Sequence, residues 1–172
     1  MRILLALDDS KCSTGAMDSL IAQFKTKDAT VRLLHVVEPF PERLAKRRGS
    51  RQSPDFVAAR VEQRKLAEEL LSRGTEKLRS AGFKVTSLVK EGDPRDVILN
   101  HSETWHADLI LVGSHGRTGL DRFLMGSVSE AVAHHAPCSV EIVRTRSARL
   151  QVGKIGFGLA FPYVNVPFPH VR

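Results

Sequence analysis

Short apolar runs alternate with helix-length amphipathic stretches from residue 2 to residue 143, and this alternation constrains the fold more than any other feature. Arg2–Asp8 (RILLALD) is an apolar run that ends in an acid, followed by Asp9, which is the pattern of a buried strand. Ser13–Phe24 carries Ala16, Met17, Leu20, Ile21 and Phe24 at helical spacing. Thr30–Val37 reads as a second strand. Glu38–Gln52 holds Pro39, Pro41 and a basic run, and reads as a loop. Ser53 as N-cap and Pro54 in the first turn then open a long helix to about Ala81, closed by Gly82, with Gly74 as its weak point. Lys84–Val89 is a third strand, and Asp93 caps the helix that follows it. Ala107–Gly113 is a fourth strand. Ser127–His135 is a helix whose Ser127-x-x-Glu130 start has the form of a capping box. Ser139–Val143 is the fifth strand.

Strands separated by helices pair in parallel, and each crossover is right-handed. The expected class is α/β: one open five-stranded sheet with helices on both faces. The body is expected to span residues 1–146. Residues 147–172 break the pattern with glycines, prolines and four of the ten aromatics, and read as an irregular basic and aromatic extension.

Composition then removes several functions. The two cysteines, Cys12 and Cys138, cannot build a disulfide scaffold or a thiolate metal cage. No run approaches the roughly 18 apolar residues of a membrane span, and Ile3–Leu7 is too short for a secretory core, so a cytoplasmic location is expected. The net charge of +7 is local. Residues 43–51 (Arg43, Lys46, Arg47, Arg48, Arg51) and residues 144–172 hold ten basic groups and no acid. Nucleic-acid binding through the first run is a reading to test, and a solvated loop is the plainer one.

In an open parallel sheet the ligand crevice lies beyond the C-terminal strand ends, where strand order reverses. The first and fourth strands flank it. They end in Asp8-Asp9-Ser10 and in Gly113-Ser-His-Gly116, and the latter continues through Arg117 and Arg122 to Gly126-Ser127. Glycines allow a backbone to approach a ligand, and a helix N-terminus favours an anion. Phosphate is the ligand chemistry this suggests, with the hydroxyls of Ser127 and Ser129 as added donors. The loop is neither a Walker A sequence nor a G-x-G-x-x-G fingerprint.

Gly113-x2-Gly116-x9-Gly126-Ser127 resembles the nucleotide motif of the universal stress protein family, and so do residues 3–10, 33–38 and 107–140 around it. The resemblance spans residues 1–144. It implies strand order 3-2-1-4-5 in a Rossmann-like (adenine nucleotide alpha hydrolase-like) sheet, a homodimer through the fifth strand, and the ATP-binding branch, with ADP or AMP as alternatives. Carried across, Ala6 and Asp8 would face the adenosine end and Val36 would hold adenine by its backbone. Gly113, Gly116 and Arg117 would line ribose and phosphates. Gly126, Ser127, Val128 and Ser129 would hold the phosphates, with Mg²⁺ or Mn²⁺ bridging oxygens. Asp9 stands where the family often has glycine.

Fast hydrolysis needs a positioned base and an in-line water, and no catalytic base is evident. The expected function is an ATP-binding stress-response switch or sensor with slow hydrolysis at most. The alternative is a dimeric interaction module that works without nucleotide, through its sheet edge, tail or basic loop. His115 is expected to support the glycine loop, His35 to be packed and hydrogen-bonded, and Cys138 to be a small apolar filler.

Overall fold

The computed structural model describes residues 1–39, 54–116 and 125–144. The expectations on Ser53, on the basic run 43–51, on Arg117 and Arg122, and on the extension 147–172 lie outside these residues. Five strands, β1 (Arg2–Ala6), β2 (Thr30–Val37), β3 (Lys84–Glu91), β4 (Leu109–Gly113) and β5 (Ser139–Val143), form one parallel sheet in the order β3-β2-β1-β4-β5. Four described helices connect them: α1 (Lys11–Gln23), α2 (Pro54–Ser80), α3 (Pro94–Thr104) and α4 (Ser127–His135). The α/β class and the strand order are those expected.

Side chains alternate across a strand, so each central strand supplies two cores. Ile3 and Leu5 of β1, Val31 and Leu33 of β2, and Leu109 and Leu111 of β4 face one layer, which packs on Met17 and Leu20 of α1 and Leu71 and Leu78 of α2. Leu4, Leu34, Ile110 and Val112 face the other, against Ile98 of α3 and Val132 of α4. This explains why β1 and β4 read as unbroken apolar runs and not as alternating ones.

Two boundaries move, and one expected cap is absent, for identifiable reasons. β1 ends at Ala6, not Asp8. The Leu7 amide still reaches the Leu34 carbonyl at 2.9 Å, but the Asp8 amide turns to donate to Ser13 Oγ at 2.8 Å. α1 starts at Lys11, not Ser13, because Ser10 caps it and accepts from the Ser13 amide at 3.1 Å. The capping box at Ser127 does not form. Gly126 is the N-cap of α4, and no side chain caps that end. Asp93 does cap α3, accepting from the Arg95 amide at 2.9 Å.

Candidate functional site

A crevice of about 440 Å³ opens at the C-terminal ends of β1, β2 and β4, where the strand order reverses. Every helix of a parallel sheet starts at that end, so helix N-termini gather there. The crevice wall includes Ala6, Asp8, Val36, Gly113, Gly116, Gly126, Ser127, Val128 and Ser129. The structure thus brings together nine of the ten sequence-predicted site residues, and the tenth, Arg117, lies outside the described residues.

The β2 side of the crevice is apolar, with Leu34, Val36, Pro94 and Ile98. The β4 side is polar backbone. Gly126 donates its amide to the Ser114 carbonyl at 2.9 Å, which ties the start of α4 to the end of β4. The Ser129 hydroxyl lies 3.1 Å from the Ser114 carbonyl and 2.8 Å from the Gly126 carbonyl. Its single proton is therefore engaged within the protein, contrary to the expectation that it adds a ligand donor. The amides of Ser127, Val128 and Ser129 are the first three of α4, and a helix offers these no internal partner. The other two helix starts here are closed by their own side chains, α1 by Ser10 and α3 by Asp93. Among the helix starts whose cap residue is described, α4 is the one with no side-chain cap.

The glycines have reasons that spacing alone does not give. A Cβ on Gly113 would come within 2.9 Å of Cys12 carbonyl carbon and the Ser13 amide, so its bare face admits the start of α1. A Cβ on Gly126 would stand 3.2 Å from the Ser114 carbonyl. A Cβ on Gly116 would stand 3.1 Å from Asp8 Oδ2. Asp8 Oδ1 accepts from the Ser10 hydroxyl at 2.6 Å and the Ser10 amide at 3.2 Å. The same hydroxyl lies 3.3 Å from the His115 carbonyl, which holds the two loops together.

His115 Nδ1 pairs with Ser114 Oγ at 3.0 Å, the supporting role expected, while its Nε2 is buried with no partner among the described residues. His35 donates from Nδ1 to the Leu7 carbonyl at 2.6 Å, since a carbonyl only accepts. Sequence reasoning missed the contribution of α3. Asp93, Pro94, Arg95 and Ile98 line the crevice because α3 crosses from β3 back to β4 over β2 and β1. The Asp93 cap, read correctly, was the available signal. Arg95 grips the Asp93 carboxylate with Nε at 3.0 Å and Nη2 at 2.6 Å. Those bonds, and the Arg95 amide, hold the Asp93 carboxyl down at about 2. Burial, with Asp108 nearby, pushes the Cys138 thiol up to about 11, so it stays protonated and inert, in keeping with a filler.

Among the described residues, no three His, Cys, Asp or Glu side chains stand together as a metal cage, and no helix is long and apolar enough to cross a membrane.

Residues 1–144 match the family model described as the Universal stress protein family. Universal stress protein YxiE of Bacillus subtilis is 30% identical over 145 residues, covering 83% of this chain and 98% of that protein. A putative universal stress protein of Staphylococcus aureus is 34% identical over 146 residues, covering 83% of each. Among solved structures, hypothetical protein MJ0577 superposes with a TM-score of 0.74 at 28% identity, covering 86% of this chain and 97% of that one. A universal stress protein family protein of Arabidopsis thaliana with AMP bound superposes with a TM-score of 0.59 at 23% identity, covering 86% and 93%. Others of the same fold are a universal stress protein in complex with cAMP and one from Archaeoglobus fulgidus in complex with dAMP, each with a TM-score of 0.57 at 20% identity and covering 83% of this chain, with 95% and 97% of those chains covered.

Proposed function

The chain belongs to the universal stress protein family, and on that premise we propose that it binds an adenine nucleotide, ATP by its glycine pattern, and acts as a nucleotide-dependent switch in a stress response. The observation that carries this reading is the uncapped start of α4. Three amides with no partner among the described residues and a helix dipole meet a crevice at the strand-order reversal, and a phosphate satisfies both. The apolar wall of Leu34, Val36, Pro94 and Ile98 suits a base, with the Val36 backbone as its partner. Relatives of the same fold bound to AMP, cAMP and dAMP agree with adenine as the base.

Mg²⁺ or Mn²⁺ enters this reading on the phosphate oxygens. Such ions keep waters and take few protein ligands, so the phosphate oxygens would be their main anchor. Ala6, Asp8, Val36 and Gly116 then surround the nucleoside end, while Ser127, Val128 and Ser129 hold phosphate by their amides. Gly113 and Gly126 act by admitting the backbones packed against them. Hydrolysis is slow or absent, and the protein works in the cytoplasm as a homodimer through β5. That strand is a sheet edge whose Val140 and Ile142 are only half-buried.

The test is to denature freshly purified protein and identify the released nucleotide, then titrate stripped protein with ATP-Mg²⁺ and with AMP. The expected result is adenine nucleotide close to one per chain, or saturable binding in the micromolar range, about −8 kcal/mol. Neither release nor binding would move the function to the β5 edge.

A further inference from the structure

The first turn of α3 puts a cation into the crevice wall. Arg95 is the single lysine or arginine among the described residues that line the crevice, where the acids are Asp8, Glu38 and Asp93. It stands three residues before Ile98, so the two share a face of α3. Ile98 is 3% exposed and forms the floor of the apolar side. The Arg95 side chain is 52% exposed and stands at the mouth. One helix face thus presents an apolar floor and a planar cation at its rim.

The orientation of that cation is set locally. Arg95 Nε donates to Asp93 Oδ1 at 3.0 Å and Nη2 to Oδ2 at 2.6 Å, the two-bond pairing of a guanidinium with a carboxylate. Asp93 is itself fixed as the N-cap of α3, since Oδ1 also accepts from the Arg95 amide at 2.9 Å. Three bonds within three residues therefore hold the guanidinium plane in place. They use one edge of that plane and neither of its faces. Nη1 has no partner among the described residues.

An arginine in a nucleotide crevice can meet either phosphate or base, and two observations favour the base. The amides that start α4 lie on the β4 side, whereas Arg95 stands with Pro94 and Ile98 on the apolar β2 side. Asp93 already balances the charge of Arg95, and a phosphate reaching Arg95 would meet that carboxylate as well. A guanidinium paired along its edge still offers its face, and an aromatic ring is attracted to that face. On the nucleotide reading of the crevice, on which this rests, we propose that Arg95 covers the base slot. Its guanidinium stacks on the face of the base turned to the mouth, while Ile98 lies behind the base. Asp93 is the positioning residue that keeps the plane in register. A lysine cannot take this role, because an ammonium is a point charge with no plane.

The experiment is calorimetric titration of the wild type, Arg95→Ala, Arg95→Lys and Asp93→Ser with AMP and with ATP-Mg²⁺. Alanine is the best helix former and serine is a good N-cap, so α3 persists in all three variants. Arg95→Ala should weaken AMP and ATP by the same factor, roughly 10-fold, because the base is common to both. Arg95→Lys should lose as much. Asp93→Ser should lose a part of it, again equally for the two nucleotides. Wild-type affinities in Arg95→Ala overturn the proposal, and wild-type affinities in Asp93→Ser overturn the positioning role. A loss that is larger for ATP than for AMP, and that lysine restores, also overturns it, since Arg95 then holds phosphate. A wild type that binds neither nucleotide is a different result: it defeats the nucleotide reading itself, and this proposal with it.

Discussion

At Ser127 the backbone carries more of the proposed site than the side chain does. Ser127 occupies the first position of α4, where proline is tolerated because the amide has no helical partner. Gly126 before it has φ −68° and ψ 148°, the extended backbone that a residue preceding proline adopts. Ser127→Pro therefore removes a hydroxyl and an amide from the crevice and preserves the helix. The loss of one hydrogen bond to a charged phosphate, about 1.5–3 kcal/mol, should weaken nucleotide binding by roughly 10- to 100-fold in a calorimetric titration. The melting temperature should stay within a few degrees. A wild-type affinity in this variant would remove α4 from the binding site. Gly126→Val is the less informative change. Its Cβ meets the Ser114 carbonyl, so lost binding would report a displaced loop as readily as a blocked phosphate.

Among the elements, α2 shows how a local rule and a packing demand compete. Its 27 residues exceed the length of β3, and Phe56 is the single buried residue of its first three turns. Burial resumes at Ala67, Leu71, Gly74 and Leu78, where the helix lies against the sheet. Gly74 reads from sequence as a weakness, and the structure makes it a contact. A Cβ there would stand 3.0 Å from Leu7 Cδ2, 3.2 Å from Leu33 Cδ1 and 3.3 Å from Met17 Cε. All three are ends of flexible side chains. Gly74→Ala should be nearly neutral, because about 1 kcal/mol of helix propensity offsets the crowding. Gly74→Val adds two more methyl groups and should cost about 1–3 kcal/mol by overpacking, read as a lower urea midpoint. A midpoint equal to the wild type would show that α2 stands further from the sheet.

At the scale of the whole molecule, α3 is joined to the sheet by a polar contact that makes stability depend on pH. Arg32 of β2 lies with its guanidinium carbon 4.3 Å from the centre of the Trp105 ring, and its Nη1 donates to His101 Nε2 at 3.3 Å. Burial first, then the charges of Arg32 and Lys90, hold the His101 imidazole below its ordinary range. The unfolded chain takes up that proton below about pH 6.5, and the folded chain resists it. Protons thus favour the unfolded state, so this contribution is present above that pH and is lost as pH falls. Urea midpoints should drop from pH 7 to pH 5 in the wild type, and less steeply in His101→Gln. Parallel slopes would show that His101 titrates alike in both states.

The sequence by itself determined the order of strands and helices and the parallel α/β class, and its resemblance to the universal stress protein family pointed to nine residues that meet in one crevice. Apolar periodicity, glycine and proline punctuation and caps such as Asp93 are local signals, and the crossover rule converts them into parallel strands with right-handed connections, while the strand order came with the family resemblance. Tertiary structure alone decided which donors in that crevice remain unpaired. The Ser129 hydroxyl is taken by Ser114, fifteen residues away, and the bare face of Gly113 is filled by Cys12, about a hundred residues away in sequence. It also decided that Pro94 and Ile98 close the apolar side, since α3 reaches the crevice only by crossing two strands. Hydrogen-bond satisfaction and close packing are properties of neighbours in space, and these neighbours come from distant parts of the chain.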